Sequence, residues 1–260
     1  MTILDKIIAY KKREVRARKD AIPAAVLSSS TLFERSTRSL SDALKNSNTG
    51  IIAEFKRCSP SKSVINKNAL VHEVVYGYEN AGVCGMSILT DTHFFGGSLD
   101  DLAVARNTTD TPLLRKEFII DPYQIYEAKA YGADVILLIA AALDKNQLSE
   151  FSSIAKRIGL EVLLEVHNKE ELQRSLLPSV DLIGVNNRNL KTFDVSLQTS
   201  MELSPYIPAE FVKISESGIS SPKAVLELKK YGYRGFLMGE HFMKTDAPGA
   251  SAKIFIESIS

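Results

Sequence analysis

From Ile51 onward the chain repeats one pattern, a short apolar run followed by a helical stretch, eight times. The runs are Ile51–Lys56, Met86–Thr90, Leu113–Glu117, Val135–Ala140, Glu161–Val166, Leu182–Asn186, Phe211–Glu216 and Gly235–Gly239. They are rich in Val, Ile, Leu and Phe without strict alternation, as strands covered on both faces are. The stretches that follow are Ala69–Ala81, Leu99–Asn107, Pro122–Tyr131, Lys145–Ile158, Lys169–Leu177, Leu197–Leu203, Pro222–Tyr231 and Ala250–Ser258. Asp121-Pro122 and Ser221-Pro222 each set a capping side chain before a proline at a first helical position. Gly82, Gly132, Gly159 and Gly232 follow helices, where a left-handed residue ends one at low cost. The pattern predicts an α/β fold, a parallel (β/α)8 TIM barrel. A doubly wound open sheet is the alternative. The eightfold count and the absence of GxGxxG after the first strand argue against it.

Residues 1–50 precede the repeat. The first twenty read as an amphipathic helix, and a second short helix is expected around Leu32–Leu44. No Pro/Gly/Ser linker follows, so 1–260 is read as a single domain of which 1–50 is an N-terminal helical extension. The charges among Ile3, Leu4, Ile7 and Ile8 stand where a signal peptide needs an apolar block, so an amphipathic helix is expected instead, and the longest apolar run, Val135–Leu143, is too short for a bilayer. A net charge of +1 gives no electrostatic case for nucleic acid or a membrane surface. Cys58 and Cys84 follow no metal or redox spacing. A cytoplasmic monomer with free thiols is expected.

In such a barrel the active site lies at the C-terminal ends of the strands. There the first run carries Glu54 and Lys56, two apart and so on one face, and then Ser59. The third ends in Arg115, Lys116 and Glu117; the fifth carries Glu161 and Glu165 on one face. The sixth runs into Asn186, Asn187, Arg188 and Asn189, and the seventh ends in Ser215, Glu216, Ser217 and Gly218. A structural ion pair explains any one of these as well as a functional role does. Their recurrence at one end of five strands is better explained by acid–base chemistry among opposed Lys and Glu groups. Ser217-Gly218 after the seventh strand and Gly239-Glu240 after the eighth stand where barrels hold phosphate on backbone N–H groups. The Glu240 carboxylate would repel an anion, so its N–H is expected to face the ligand. Phe95, Phe118, Leu137, Leu190 and Phe193 interleave with this polar set. Core packing is the default for each. Phe95 and Phe193, expected in loops, are suited to a slot for a flat apolar group. His72, His93, His167 and His241 are scattered, with surface or supporting roles expected and no metal cluster.

The segments IAEFKRCSPS, ILTDTHFFGGS, LLRKEFIID, LLEVH, IGVNNRNL, SESGI and FLMGEHFM resemble, in order, the signature segments of the indole-3-glycerol-phosphate synthase family. The likeness runs from about Ile51 to Met243, and the N-terminal extension also resembles that family. It implies ring closure of 1-(2-carboxyphenylamino)-1-deoxy-D-ribulose 5-phosphate, a sugar phosphate bearing an anthranilate ring, with loss of CO₂ and water and no cofactor. It further implies that Lys116 is the general acid at the ribulose carbonyl. Lys56 would hold the substrate carboxylate and polarise that carbonyl, the two lysines acting as a pair. By the same likeness Glu165 stabilises charge on the anilino nitrogen or moves a proton, and Glu54 is the base of the dehydration. Asn186, Arg188 and Glu216 orient the substrate, and Ser59 contacts its carboxylate. Ser217, Gly218, Gly239 and Glu240 hold the phosphate, and Phe95, Phe118, Leu137, Leu190 and Phe193 the ring. Two positions depart from the family's pattern: Ser63 replaces a glycine and Glu117 an aspartate. A Schiff-base aldolase using Lys116 or Lys56, or a phosphate-binding barrel without activity, are the competing readings.

Overall fold

A computed structural model of the chain describes residues 2–260. Its strands are β1 (Ile51–Phe55), β2 (Gly85–Leu89), β3 (Leu113–Lys116), β4 (Val135–Ile139), β5 (Glu161–Val166), β6 (Leu182–Asn186), β7 (Val212–Glu216) and β8 (Gly235–Met238). They form a closed barrel in sequence order, every pair parallel, with β1 meeting β8 at Ile51↔Phe236. The helices are α1 (Ile3–Ala21), α2 (Ala24–Ser28), α3 (Leu40–Lys45), α4 (Val71–Asn80), α5 (Thr92–Phe95), α6 (Leu99–Thr108), α7 (Tyr123–Ala130), α8 (Lys145–Arg157), α9 (Lys169–Ser175), α10 (Gln198–Leu203), α11 (Pro222–Lys230), α12 (Glu240–Met243) and α13 (Pro248–Glu257).

Alternation along each strand divides the core in two. Ala53, Phe55, Met86, Ile88, Leu138, Leu164 and Val185 pack outward on the helices. Ile52, Leu114, Leu137, Leu163, Ile214 and Leu237 fill the barrel with Leu40 and Leu44 of α3. Thus α3 plugs the N-terminal end. Gly85 makes room for it: a Cβ there would stand 2.4 Å from Leu40 Cδ1.

The N-terminal half departs from expectation. Of the helix expected around Leu32–Leu44, only the part from Leu40 is helical; residues 31–35 are turns and bends. Long-range contacts override local periodicity there. Arg35 donates to the Gly132 and Ala133 carbonyls and to Asp134, which also accepts from Arg38 N at 2.8 Å. α2, α5 and α12 were not expected, and Phe95 closes the turn of helix α5 instead of lying in a loop. Pro122 precedes α7 by one residue, and the Asp121 carboxylate accepts from Tyr123 N at 2.9 Å. Ser221 caps α11 with Pro222 at its first position, as expected.

Candidate active site

A cavity of about 420 Å³ opens at the C-terminal mouth of the barrel. Strand ends supply Glu54, Lys56, Lys116, Leu137, Glu165, Asn186, Glu216 and Gly239 to its wall. Following segments add Ser59, Phe95, Phe118, Arg188, Leu190, Phe193, Ser217, Gly218 and Glu240. All the residues singled out from the sequence for chemistry or binding therefore line one cavity. Of the strand-end residues considered with them, Arg115, Glu161, Asn187, Asn189 and Ser215 do not. Arg115 points outward from β3, fully buried, donating to Thr90, the Gln124 carbonyl and Glu127. Glu161 faces inward at the opposite end, where it accepts from Leu40 N, Ser41 N and the Ser39 and Ser41 hydroxyls. It caps α3.

Two ion-pair groups form the floor. Lys56 Nζ lies 2.7 Å from Glu54 Oε1, and Ser87 donates to Glu54 Oε2. Lys116 Nζ lies between Glu165 Oε2, at 3.0 Å, and Glu216 Oε2. Asn186 Nδ2 donates to Glu165 Oε1 at 3.2 Å. Burial works against charge on Lys116, but Glu216, Glu165 and Glu54 outweigh it and raise its pKa, so it is an ammonium. Burial pushes Glu165 up, and Lys116, His167 and Asn186 more than reverse this, holding it ionised. For Glu216, burial and the neighbouring Glu165 prevail over Lys116, and its pKa is raised. Two carboxylates on one ammonium thus divide into a firm anion and a group that readily holds a proton. Burial also opposes charge on Glu54, but Lys56 and Lys116 bring its pKa below the ordinary value. Gly184 makes room for Glu216: a Cβ there would stand 2.3 Å from Glu216 Oε1.

The rim is built from turns. Ser217 and Gly218 have φ of 67° and 77° after β7, a reversal few residues but glycine adopt freely. A Cβ on Gly218 would also meet Val195 at 2.4 Å. Asn187, buried, clamps this turn to the loop after β6 by donating to Ser215 Oγ and the Ser217 carbonyl. In that loop Phe193 is held at φ 64°, its carbonyl accepting from Arg188. The Glu240 carboxylate is turned to Lys62 of the loop after β1, 2.5 Å away. Phe95 and Phe118 stack at a tilt, ring centroids 5.9 Å apart, on one wall.

The family model described as indole-3-glycerol phosphate synthase matches residues 4–255. The chain belongs to this family. An indole-3-glycerol phosphate synthase of Bacteroides thetaiotaomicron is 48% identical over 257 residues, 99% of this chain and 98% of that protein. One from Laribacter hongkongensis is 45% identical over 96% of this chain and 97% of that protein. Among solved structures, the tryptophan synthase subunit alpha of Legionella pneumophila superposes with a TM-score of 0.62 at 13% identity. That match covers 85% of this chain and 97% of that one, a likeness of fold alone.

The family's N-terminal extension is here the roof of the cavity, a role sequence reasoning did not foresee. Ile3, Leu4 and Ile7 of α1 line it. Their spacing on one helix face was visible, but not what that face covers. Lys11, buried, pins α1 down at 2.8 Å from Asp91 and 3.0 Å from Glu117. Glu117, where the family's pattern has aspartate, is thus a tether and also accepts from Thr90 and Phe118 N. His167, for which a surface or supporting role is expected from the sequence, stands beside the site at 3.3 Å from Glu165; its place two residues beyond Glu165 was the signal for which role. Among the described residues no group of His, Cys, Asp and Glu is arranged to hold a metal, and no helix is long and apolar enough to cross a membrane.

Proposed function

We propose that this cavity is where the chain performs the reaction of its family, closing the carboxyphenylamino-deoxyribulose phosphate to indole-3-glycerol phosphate with loss of CO₂ and water. The observation that carries the assignment of roles is the placement of Lys116, an ammonium held by Glu165 and Glu216 beside the Phe95–Phe118 wall and across from the glycine turns. Lys116 protonates the ribulose carbonyl oxygen as the ring carbon attacks. In the free pocket its two carboxylates make it too weak an acid for this. Substrate must draw one of them away, and Glu216, which readily takes a proton, is the one released. Lys56 holds the substrate carboxylate, with Ser59, until CO₂ leaves. Glu165, kept ionised, faces the positive charge on the anilino nitrogen. Glu54 accepts the ring proton in the dehydration, and Lys56, or Lys116 once it has regained a proton from solvent, supplies the proton that leaves with water. Asn186 and Arg188 orient the chain of hydroxyls. The turns at Ser217-Gly218 and Gly239-Glu240 take the phosphate on their N–H groups, and Leu137, Leu190 and Phe193 complete the aromatic slot.

A Schiff-base lysine works as the neutral amine, reached by a lowered pKa. Lys116 is shifted the other way, which favours acid catalysis over imine formation. We also propose a cytoplasmic monomer folded as one domain from 1 to 260. In support of the single domain, residues from Ile3 to Lys244 line one cavity; free thiols at Cys58 and Cys84 suit a reducing compartment. Mixing protein and substrate in the presence of EDTA and following indole fluorescence tests the activity; the chain has no tryptophan to mask it. A rising signal is expected. Tight substrate binding without signal would overturn the catalytic assignments, and borohydride trapping of a covalent adduct would favour the aldolase.

A further inference from the structure

Behind Glu165 lies a second cavity of about 590 Å³, lined by His167, Asn168, Glu171, Asn186, Arg188 and residues of the loop after β6. Glu165 lines the first cavity and His167 the second, while Leu4, Asn186, Arg188 and Leu190 line both. His167 therefore reaches Glu165 from outside the first cavity. Its Nε2 is 3.3 Å from Glu165 Oε1, and its Nδ1 is 3.1 Å from Glu171 Oε2. Glu171 is itself fixed: its Oε2 also accepts from His167 N at 2.8 Å, and its Oε1 from Asn168 Nδ2 at 2.9 Å. Nδ1 is thus within hydrogen-bond reach of Glu171, while Nε2 meets Glu165 as a close charge contact that is not aligned as a hydrogen bond. A neutral imidazole would set a lone pair close to one of those anions; the doubly protonated ring sets a cation between both.

We infer that His167 is a positioning residue for the ring closure, an imidazolium that holds Glu165 ionised and in place from behind. This rests on the role proposed for Glu165. Burial opposes the charge on His167, but Glu165 and Glu171 outweigh it and raise its pKa to about 10. The other charged groups lining its cavity are Asp5 of α1 and Arg188, Lys191 and Asp194 after β6. Lys116 faces it only through Glu165. The function is a division of labour. Lys116 is free to pass its proton to substrate because Glu165 does not depend on Lys116 alone for its charge.

The first test is the ring ¹⁵N spectrum of histidine-labelled protein, with H167Q identifying the signal. Both nitrogens protonated at pH 8 is the expected result; a neutral tautomer at pH 8 overturns the inference. The second is kinetic. H167Q should lower kcat by roughly tenfold, with KM changed less than about twofold. Removing the cation raises the pKa of Glu165, so the acid limb of kcat should move to higher pH. In an E165Q background H167Q should have no further effect on kcat. An equal loss in both backgrounds, or a KM effect alone, overturns the inference. If E165Q itself leaves kcat intact, the role of Glu165 fails, and the spectrum still judges His167 separately. Should H167Q not fold, E171Q keeps the ring and lowers its pKa. The activity should then fall on the alkaline side, at a pH below about 10; an unchanged alkaline limb overturns the inference.

Discussion

Replacing Lys11 by methionine keeps the stem of the side chain and removes its charge. Lys11 is fully buried, within 3.0 Å of Glu14, Asp91 and Glu117, the last two also buried. Removing one partner of a buried pair strands the other, at a cost of about 3–5 kcal/mol. At about 2 °C per kcal/mol for a chain of this size, Tm should fall by about 6–10 °C. The sign of the pH dependence follows from both partners. Burial opposes charge on Lys11, but Glu117 and Asp91 raise its pKa above the usual lysine value. Its stabilisation is therefore intact below the unfolded value near 10.4 and is lost only as pH rises through the folded one. Burial opposes charge on Glu117 too, but Lys11 and Arg115 lower its pKa from 4.5. That contribution is present above pH 4.5 and is lost as pH falls through the folded value. The gap between the two proteins should hold from about pH 6 to 9 and close on the acid side. Calorimetry over that range, with KM measured alongside, is the assay. KM should rise, because Ile3, Leu4 and Ile7 roof the cavity from the same helix. A Tm lowered by less than about 2 °C with unchanged KM would refute the tether. Two separate transitions would refute the single domain.

Lys116→Ala should lower kcat by about 10²–10⁴-fold, the range of general acid catalysis, with a far smaller change in KM; near-normal kcat in steady-state assays would remove Lys116 from its role. Gly184→Ala puts a Cβ 2.3 Å from Glu216 Oε1, so it should displace that carboxylate and lower kcat while the fold persists by circular dichroism. Leu44→Ala, in the plug at the far end of the barrel, should cost about 2–5 kcal/mol of stability in denaturant titrations and leave kcat within about twofold.

The barrel was legible because strands buried on both faces must be apolar throughout, as in Val135–Ile139. Charges interrupting such runs, as at Glu54 and Glu165, then stand out. The interior residues of the mouth could be paired by the two-residue period alone. That period does not say which end of a strand a residue serves, which is why Glu161 was grouped with Glu165 although it binds α3. Nor did the neighbours Arg115 and Lys116 reveal that only one faces the cavity. The 31–39 segment was misread because its conformation is set by Asp134 and the Gly132 and Ala133 carbonyls, about a hundred residues away. The roof and the tether at Lys11 were hidden for the same reason: a periodic helix shows its apolar face but not its partner.

The docking of the first fifty residues has a consequence for how the chain is made. Lys19 waits for Asp121, Arg35 for Asp134, Ser39 for Glu161, and the Asn48 carbonyl for Lys229. The seam of the barrel waits for Phe236 to meet Ile51. At about 5–20 residues per second, a ribosome that has released β1 needs about 10–40 s more to deliver β8. The apolar face of α1 finds Tyr123 and Ala130 part-way through that interval, but the plug of α3 waits for Ile214 and Leu237 near its end. The plug made before the first strand is among the last parts of the barrel to be seated, and the seam closes only once β8 is made.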